Sequence, residues 1–428
     1  MRKILAYLFK QAAYKACVRK AFLYHSCRTV DEINQYRLER FNEMWKDAYM
    51  NVPFYMNFKE KNKLPDSINE LSDIKSWPIV TKKDLQLNPS LLRRKEAPDG
   101  YSKTGGSTGE PLHFGTYHSR ETYATSLIGR VALDIFPGDK CFLLWGHQHL
   151  YGKGLKRQFV VMKRTLQDWF LNYYRFSAYD LSVPLLKSYY DKLIKIKPDY
   201  VIGFSPSVLA FCRANQEYKS ISFKMKGIIC TAGPLQLFEK EEISAFFNAP
   251  VIMEYGSVEC GVMAYTTGTD KEYRVFPDTH ILETKLENGY YKNIVTRLTK
   301  EYVPLIRYDI GDYLVPSSEE DFPLSLKDVI GRPSDVIKFP NGTSIYFALI
   351  NDVAKQVEKV LSVQTIVKSG SLNINFLMKG ELLNEDIEKI TNRLYTVAPG
   401  LKGIPIIIEK KDKLIQTPAG KISAVVYQ

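Results

Sequence analysis

The chain has 428 residues, 45% of them hydrophobic and 25% charged. That balance excludes a disordered, collagenous or disulfide-scaffold protein and leaves room for two or three domains. The formal net charge is +12, yet seven of the excess cations (Arg2, Lys3, Lys10, Lys15, Arg19, Lys20 and Arg28) precede the first acid, Asp31. A basic total raises the question of nucleic acid or membrane, and here the question attaches to one short arm, with no nucleic-acid recognition motif to support the first answer. No apolar run approaches the roughly 18 residues of a spanning helix. Lys10 interrupts the apolar stretch after Arg2-Lys3 and no small-residue cleavage site follows, so no secretory signal is expected. The six cysteines form no C-x-x-C pair and find no zinc-like spacing with the six histidines. Such scatter fits reduced thiols in a cytosolic protein.

In chain order, residues 3–24 set Leu5, Leu8, Ala12 and Ala16 on one helical face with Lys and Arg around the rest. Two readings stand: an interfacial helix on anionic lipid, giving peripheral contact with the inner face of a membrane through residues 1–30, or a packing helix with a solvated basic side. Asp31 to about Tyr49 reads as a second helix, capped by Thr29 or Asp31 and closed by Pro53. Pro65, Pro78 and Pro89 punctuate a loop-rich stretch in which Thr81 caps a short helix on Lys82–Leu85. From residue 100 to 315 short apolar strands (Cys141–Trp145, Tyr200–Gly203, Gly227–Thr231, Val251–Tyr255) alternate with helical stretches, which predicts a sheet with helices packed on it. After Gly331-Arg332-Pro333 the order becomes helix (about 347–360), strand (363–368), alternating strand (371–378), helix (385–397, ended by Pro399-Gly400) and strand (404–409). That is a compact α+β unit of its own.

Five segments carry candidate chemistry. Thr104-Gly105-Gly106-Ser107-Thr108-Gly109 gathers glycines and hydroxyls between likely strands. It is either a phosphate-binding loop, whose bare backbone and O–H groups donate to an anion, or a hairpin turn. Glu254-Tyr255-Gly256-Ser257-Val258-Glu259 follows an apolar run, so its aromatic and carboxylate fall at a strand's carboxyl edge, where α/β folds bind ligands. Tyr255 there suits stacking on a base and Glu259 suits Mg²⁺ beside a phosphate; the alternative is a strand end with a solvated acid. Pro304–Asp312 ends in a carboxylate after glycine, suited to two ribose hydroxyls at a strand end or to a β-turn. Gly331-Arg332-Pro333-Ser334-Asp335 lies at the predicted boundary, and Thr417-Pro418-Ala419-Gly420-Lys421 places a glycine and a lysine near the C-terminus. A sixth, Trp145-Gly146-His147 to Tyr151, offers Trp145, His147 and Tyr151 as an aromatic-rich acid pocket or, for the aromatics, as core.

Taken in this order, the first five segments resemble the motif series of the adenylate-forming (AMP-binding) superfamily. With Pro78–Leu85 and the Pro304–Asp312 run added, the sequence looks most like its phenylacetate–coenzyme A ligase branch, including relatives in capsule and O-antigen biosynthesis. The resemblance runs from about residue 30 to the C-terminus. It implies an α/β fold: an adenylation domain of packed sheets and helices over 31–331, and a small mobile α+β lid over 332–428. It further implies that Thr104 to Gly109 (Gly105, Gly106, Ser107 and Thr108 between them) wrap the β- and γ-phosphates of ATP. Ala232-Gly233-Pro234 would line adenine, Tyr255 with Gly256 would stack on it, and Glu259 would ligate Mg²⁺. Asp312 would bind the ribose with Arg332 nearby, Ser334 or Asp335 would act as hinge, and Lys421 would reach the substrate carboxylate and α-phosphate. The activity implied is ATP-dependent activation of a small carboxylic acid as an acyl-adenylate, then transfer to coenzyme A or to an amino sugar. Two departures stand out: Glu110 where the family has Lys, and Val258 where it has Thr or Ser. They motivate the other class of reading, a non-catalytic nucleotide-binding or membrane-recruited scaffold.

Overall fold

A computed structural model describes residues 4–8, 11, 14, 15, 17 and 29–428, apart from 105–111, 118–119, 146–154, 179–182, 219, 236, 268–270, 288–289, 332–335, 340–343, 355–356, 358–359, 369, 379, 399–400 and 416–424. The first long helix, α1 (Val30–Asn51), begins where the sequence places its cap. Thr29 Oγ1 accepts from Glu32 N–H at 3.2 Å while Glu32 Oε2 accepts from Thr29 N–H at 2.9 Å, a reciprocal box that satisfies two orphan donors. Pro53 both ends α1 and opens α2 (Pro53–Asn62), where its missing N–H costs nothing. Phe41, Trp45, Tyr55 and Trp77 bury together in a satellite core. Thr81 caps α3 (Lys82–Leu87) through a second box with Asp84, so this helix runs two residues past the expected Leu85.

The hairpin β1 (Gly100–Lys103) and β2 (His113–Thr116) stands apart. Then come α4 (Arg120–Val131), β3 (Cys141–Trp145), α5 (Leu155–Leu171), β4 (Tyr173–Ser177), α6 (Val183–Ile196), β5 (Tyr200–Phe204), α7 (Ser205–Ala214), β6 (Gly227–Thr231), α8 (Leu237–Phe247) and β7 (Val251–Ser257). Strands β3 to β7 pair in parallel, as alternating β and α segments require. The chain next meanders through β8 (Gly261–Thr266), β9 (Tyr273–Val275), β10 (His280–Glu287), β11 (Tyr290–Arg297), β12 (Tyr308–Pro316) and β13 (Ser325–Gly331), all antiparallel. One eleven-stranded sheet results, in the order β10-β11-β12-β13-β9-β8-β7-β6-β5-β3-β4.

A smaller sheet domain follows: hairpin β14 (Val336–Lys338) and β15 (Ser344–Tyr346), α9 (Phe347–Ala354), β16 (Val360–Lys368), β17 (Ser371–Met378), α10 (Asn384–Val397), β18 (Ile406–Lys410) and β19 (Val425–Tyr427). Its four-stranded sheet, β18-β17-β16-β19, closes a core of its own around Ile350, Ile374, Phe376, Ile390 and Leu394. The fold is thus the α/β arrangement expected, a large sheet-rich body and a small C-terminal domain. Helix α9 ends six residues before the expected 360, because β16 already begins there, and the last strand, β19, has no counterpart in the sequence reading.

The basic arm departs from a free extension. Ala6 and Cys17 are fully buried, and Cys17 packs with Ala124, Ile128, Ile252 and Phe276. Part of the arm therefore belongs to the folded body, which is the packing alternative. Among the described residues no helix is long and apolar enough to cross a membrane, and the five described cysteines are buried.

The antiparallel half is fastened by Arg307, a buried residue in left-handed backbone (φ 46°). Its Nε donates to Glu283 at 2.8 Å, a second guanidinium N–H also reaches Glu283, and the third nitrogen donates to the carbonyls of Lys75 (2.6 Å) and Trp77. The carbonyl of Arg307 then receives Val80 N–H at 2.9 Å, so the Pro78–Leu85 segment is bound to the start of β12. Glu283→Ala should strand this cation and lower stability by about 3–5 kcal/mol, read as a fall in the urea midpoint at unchanged slope. Thr29→Ala, which removes only a cap, should cost about 1 kcal/mol.

Candidate active site

Because β3, β5, β6 and β7 run parallel, their carboxyl ends share one edge of the sheet, the place where ligands bind in such folds. Three of the sequence segments arrive there, and a fourth, at Asp312, reaches them from β12. Trp145 ends β3 half-buried, its ring centroid 4.6 Å from that of Phe204, the last residue of β5. Thr231 ends β6, and Ala232 follows in left-handed backbone (φ 58°), which turns the chain into Gly233-Pro234. The Ser205 hydroxyl fixes this turn, lying 3.1 Å from Thr231 O and 2.7 Å from Gly233 O. Thr231 Oγ1 donates to Glu254 O at 3.2 Å, tying β6 to β7.

Strand β7 carries Tyr255 and Gly256. Gly256 has to be glycine: a Cβ there would fall 2.3 Å from Gly261 O, at the point where the β7–β8 ladder shifts register. Tyr255 is 7% exposed and lies in the main core, so it presents little ring surface; its polar handle is the hydroxyl. That hydroxyl donates to Asp312 Oδ2 at 2.9 Å and accepts from Asn293 Nδ2 at 2.9 Å. Burial, then the neighbouring Asp312 charge, pushes the phenol well above its usual value.

Asp312 is not at a strand end or in a β-turn, the two places expected for it; it lies inside β12. The ladder explains how it still reaches Tyr255. Lys292 pairs with Tyr313 and Ile294 with Asp309, so Asn293 alone stands opposite Ile310, Gly311 and Asp312. Gly311 (φ 82°) makes the bulge possible, with its N–H bound by Asp309 Oδ1 at 3.0 Å. The bulge re-aims Asp312 toward β7.

Glu259 sits in the tight turn between β7 and β8 and is buried. Its carbonyl accepts from Arg297 at 3.0 Å, and Arg297 is ion-paired with buried Glu301, which also receives the Thr299 hydroxyl at 2.7 Å. The next residue is held as well: Cys260 O lies 2.8 Å from His280 Nε2, and Cys260 N–H donates to Ser257 Oγ at 3.0 Å. The carboxylate of Glu259 thus projects from an immobilised backbone. Among the described residues no cluster of three or more metal-liganding side chains occurs. A single hard oxygen donor nevertheless suits Mg²⁺, which takes one or two carboxylates and completes its shell with phosphates and water. Val258, beside it, is exposed.

Thr104 lies at the mouth of the β1–β2 hairpin, where its N–H donates to Leu112 O (3.0 Å) and its hydroxyl accepts from Leu112 N–H (2.9 Å). It closes the loop. Gly105, Gly106, Ser107, Thr108, Gly109 and Glu110 fall outside the described residues, as do His147, Tyr151, Arg332, Ser334, Asp335 and Lys421. Sequence reasoning missed Ser205, Asn293 and Arg297. Asn293 and Arg297 had one signal, since each is a polar residue followed or preceded by apolar ones in a strand that the fold buries.

No protein-family model matches the chain. Protein CapK of Staphylococcus aureus is 27% identical over 331 residues, 73% of this chain and 70% of that one. The phenylacetate-coenzyme A ligase of Escherichia coli K12 is 23% identical over 72% of this chain and 73% of its own, and that of Pseudomonas putida 22% identical over 81% of each. The fold matches a crystal structure of 2-hydroxyisobutyryl-CoA ligase in complex with 2-HIB-AMP and CoA, with a TM-score of 0.58 over 94% of this chain and 90% of that one at 16% identity. The resemblance drawn from the motifs therefore stands on independent sequence relatives and on the fold.

Tyr255→Phe should leave Asn293 and Asp312 each short of a partner and cost about 1–3 kcal/mol near neutral pH. Above the ordinary tyrosine value of 10.0 the unfolded chain sheds this phenolic proton while the native one retains it, so stability declines as pH rises. Urea titrations at a series of alkaline pH values should show a shallower decline for the Phe variant.

Proposed function

We propose that this chain, an adenylate-forming ligase of the phenylacetate–coenzyme A ligase-like branch with capsule-type relatives, activates a small carboxylic acid at the expense of ATP. A carboxylate oxygen attacks the α-phosphorus, the bond to the β-phosphate breaks, and pyrophosphate leaves. The acceptor then attacks the acyl carbon, loses its proton, and AMP departs. The observation that carries this reading is the hydrogen bond from Tyr255 to Asp312, which joins two motifs 57 residues apart beside Glu259.

Carboxylate and triphosphate repel each other, so the protein's work is to neutralise and align. Asp312, held by Tyr255, accepts from the ribose hydroxyls, while Gly233, Pro234, Tyr255 and Gly256 border the adenine. Gly105, Gly106, Ser107, Thr108 and Gly109 donate to the phosphates across the hairpin that Thr104 closes. Glu259 would hold Mg²⁺, which when bound offsets phosphate charge. Trp145, with Phe204 against it, walls the acid pocket together with His147 and Tyr151. Lys421 belongs to the C-terminal domain; Arg332, Ser334 and Asp335 fall between the two domains, and a rotation there would withdraw Lys421 for the second half-reaction. The boundaries follow as 31–331 and 332–428.

The likeness to phenylacetate-coenzyme A ligases supports coenzyme A as acceptor. The second reading, an amine on a sugar precursor, rests on the capsule-type resemblance of the motifs, with Protein CapK among the relatives. The reading places the enzyme in the cytoplasm, where ATP and both candidate acceptors would be met.

A cognate acid should drive exchange of pyrophosphate into ATP, and Lys421→Ala and Glu259→Gln should each reduce the rate at least about tenfold with unchanged unfolding midpoints. ATP binding with no exchange across a broad acid panel would leave the non-catalytic scaffold standing instead. Hydroxamate trapping detects the adenylate, and product masses with coenzyme A and then with amino sugars separate the two acceptors.

A further inference from the structure

Helix α5 carries its apolar stripe on the outside. Phe159, Met162, Leu166, Trp169 and Phe170 follow the i, i+3, i+7, i+10, i+11 spacing of one helical face. On a surface helix that face is normally buried against the core, yet these five side chains are 43–61% exposed. The side that meets the body is the other one: Asp168 is buried and forms a two-pronged ion pair with Arg175 of β4, at 2.6 and 2.8 Å. A contiguous stripe of two aromatic six-membered rings, an indole, a leucine and a methionine facing solvent marks a surface built to be covered.

Its charge says by what. The helix sequence holds Lys156, Arg157, Lys163 and Arg164 against one acid, Asp168, which Arg175 neutralises. Lys163 and Arg164 are both exposed, Lys163 beside the stripe at helical spacing from Phe159 and Leu166. A second patch of the same kind lies close by. Ile4 and Leu8 of the N-terminal arm are also exposed, and Tyr14 puts its ring 5.8 Å from that of Phe136. Phe136 lines a small cavity together with Leu171, the last residue of α5, and Tyr173. Both patches therefore lie at the end of the sheet where β4 is the edge strand.

We infer that α5 is an interfacial helix that docks this protein on an anionic lipid bilayer, its apolar stripe lying among the acyl chains and its flanking cations among the headgroups. Amphipathic helices with Trp, Phe and Leu on one face and Lys and Arg beside it bind in this way, and a second apolar contact adds to the buried area that sets the strength of attachment. The arm supplies the second. A further copy of this chain is the poorer occupant, because a two-fold contact through the stripe would bring the cationic flanks of both copies together. The inference is independent of the adenylation chemistry and assigns the main contact to a helix far in sequence from residues 1–30.

The test is flotation of the full-length protein with vesicles of equimolar phosphatidylcholine and phosphatidylglycerol, against vesicles of phosphatidylcholine alone. The chain should float with the anionic vesicles and be released by salt. Of the four tryptophans, Trp45 and Trp77 are buried and Trp145 is half-buried, so Trp169 is the one to report contact. Emission should shift to the blue on binding, and Trp169→Phe should abolish that shift. Phe159→Ser with Leu166→Ser should weaken partitioning about tenfold or more, and Lys163→Glu with Arg164→Glu should remove the preference for anionic lipid. Both double variants should keep the parent's unfolding midpoint and its activity without vesicles. Failure of the parent to float, binding without a Trp169 response, or undiminished binding by the serine variant would each overturn the inference. So would a dimer in sedimentation that the serine variant converts to monomer, which would assign the stripe to a second copy.

Discussion

Strand Val251–Ser257 is the constraint on which the rest of the active site depends. It pairs in parallel with Gly227–Thr231 on one side and antiparallel with Gly261–Thr266 on the other. The parallel half delivers strand ends to a common edge, and the antiparallel half delivers a strand that passes beside that edge. Only the shared strand lets the two halves be one sheet, so that Tyr255 stands between Gly233 from the first half and Asp312 from the second. The junction leaves little room, which is why a register shift and a glycine with no space for a Cβ fall on it.

Two buried ion pairs hold the antiparallel half in register with this junction. Arg307 with Glu283 ties the loop before Val80 to the start of β12, and Arg297 with Glu301 holds the main chain at Glu259. Removing such charges from water costs about as much as their attraction returns, so their contribution is to geometry more than to net stability. A hydrophobic substitute would fill the space, but it would offer no directed donors to the carbonyls of Lys75, Trp77 and Glu259. These donors set where β12 begins and where the Glu259 turn points.

Much of this was legible in the sequence, and the reason is local. The boxes at Thr29 and Thr81, the break at Pro53 and the apolar runs Cys141–Trp145 and Gly227–Thr231 are determined within a few residues of themselves. What was not legible depends on pairing across the chain. The sequence around Asp312 suits a strand end, yet the residue lies within a strand, because the bulge at Gly311 exists only in relation to Asn293 on the neighbouring strand. The sequence offers the ring of Tyr255 for stacking, but the bonds of its hydroxyl to Asp312 and Asn293 come from strands that only the fold brings beside it. The helical spacing of the arm puts Leu5 and Leu8 on one face, yet Leu8 is exposed and it is Ala6 and Cys17 that are buried.

Helix Leu155–Leu171 shows the same limit from the other side. Its periodicity is plain in the sequence, but periodicity gives a stripe and not the direction it faces. In the structure the contact with the edge strand is made at Asp168, paired with Arg175, while the apolar stripe and the polar residues around it lie outside. An edge strand with no neighbour beyond it has no core to offer such a stripe. In chain order the helix also follows directly on Trp145 and the 146–154 segment, so the acid-pocket candidates and the apolar-striped helix are consecutive on one crossover between β3 and β4. A parallel pair requires a crossover of this length whatever its use. Here the same connection begins at the carboxyl end of β3 and ends in the helix whose apolar stripe faces solvent.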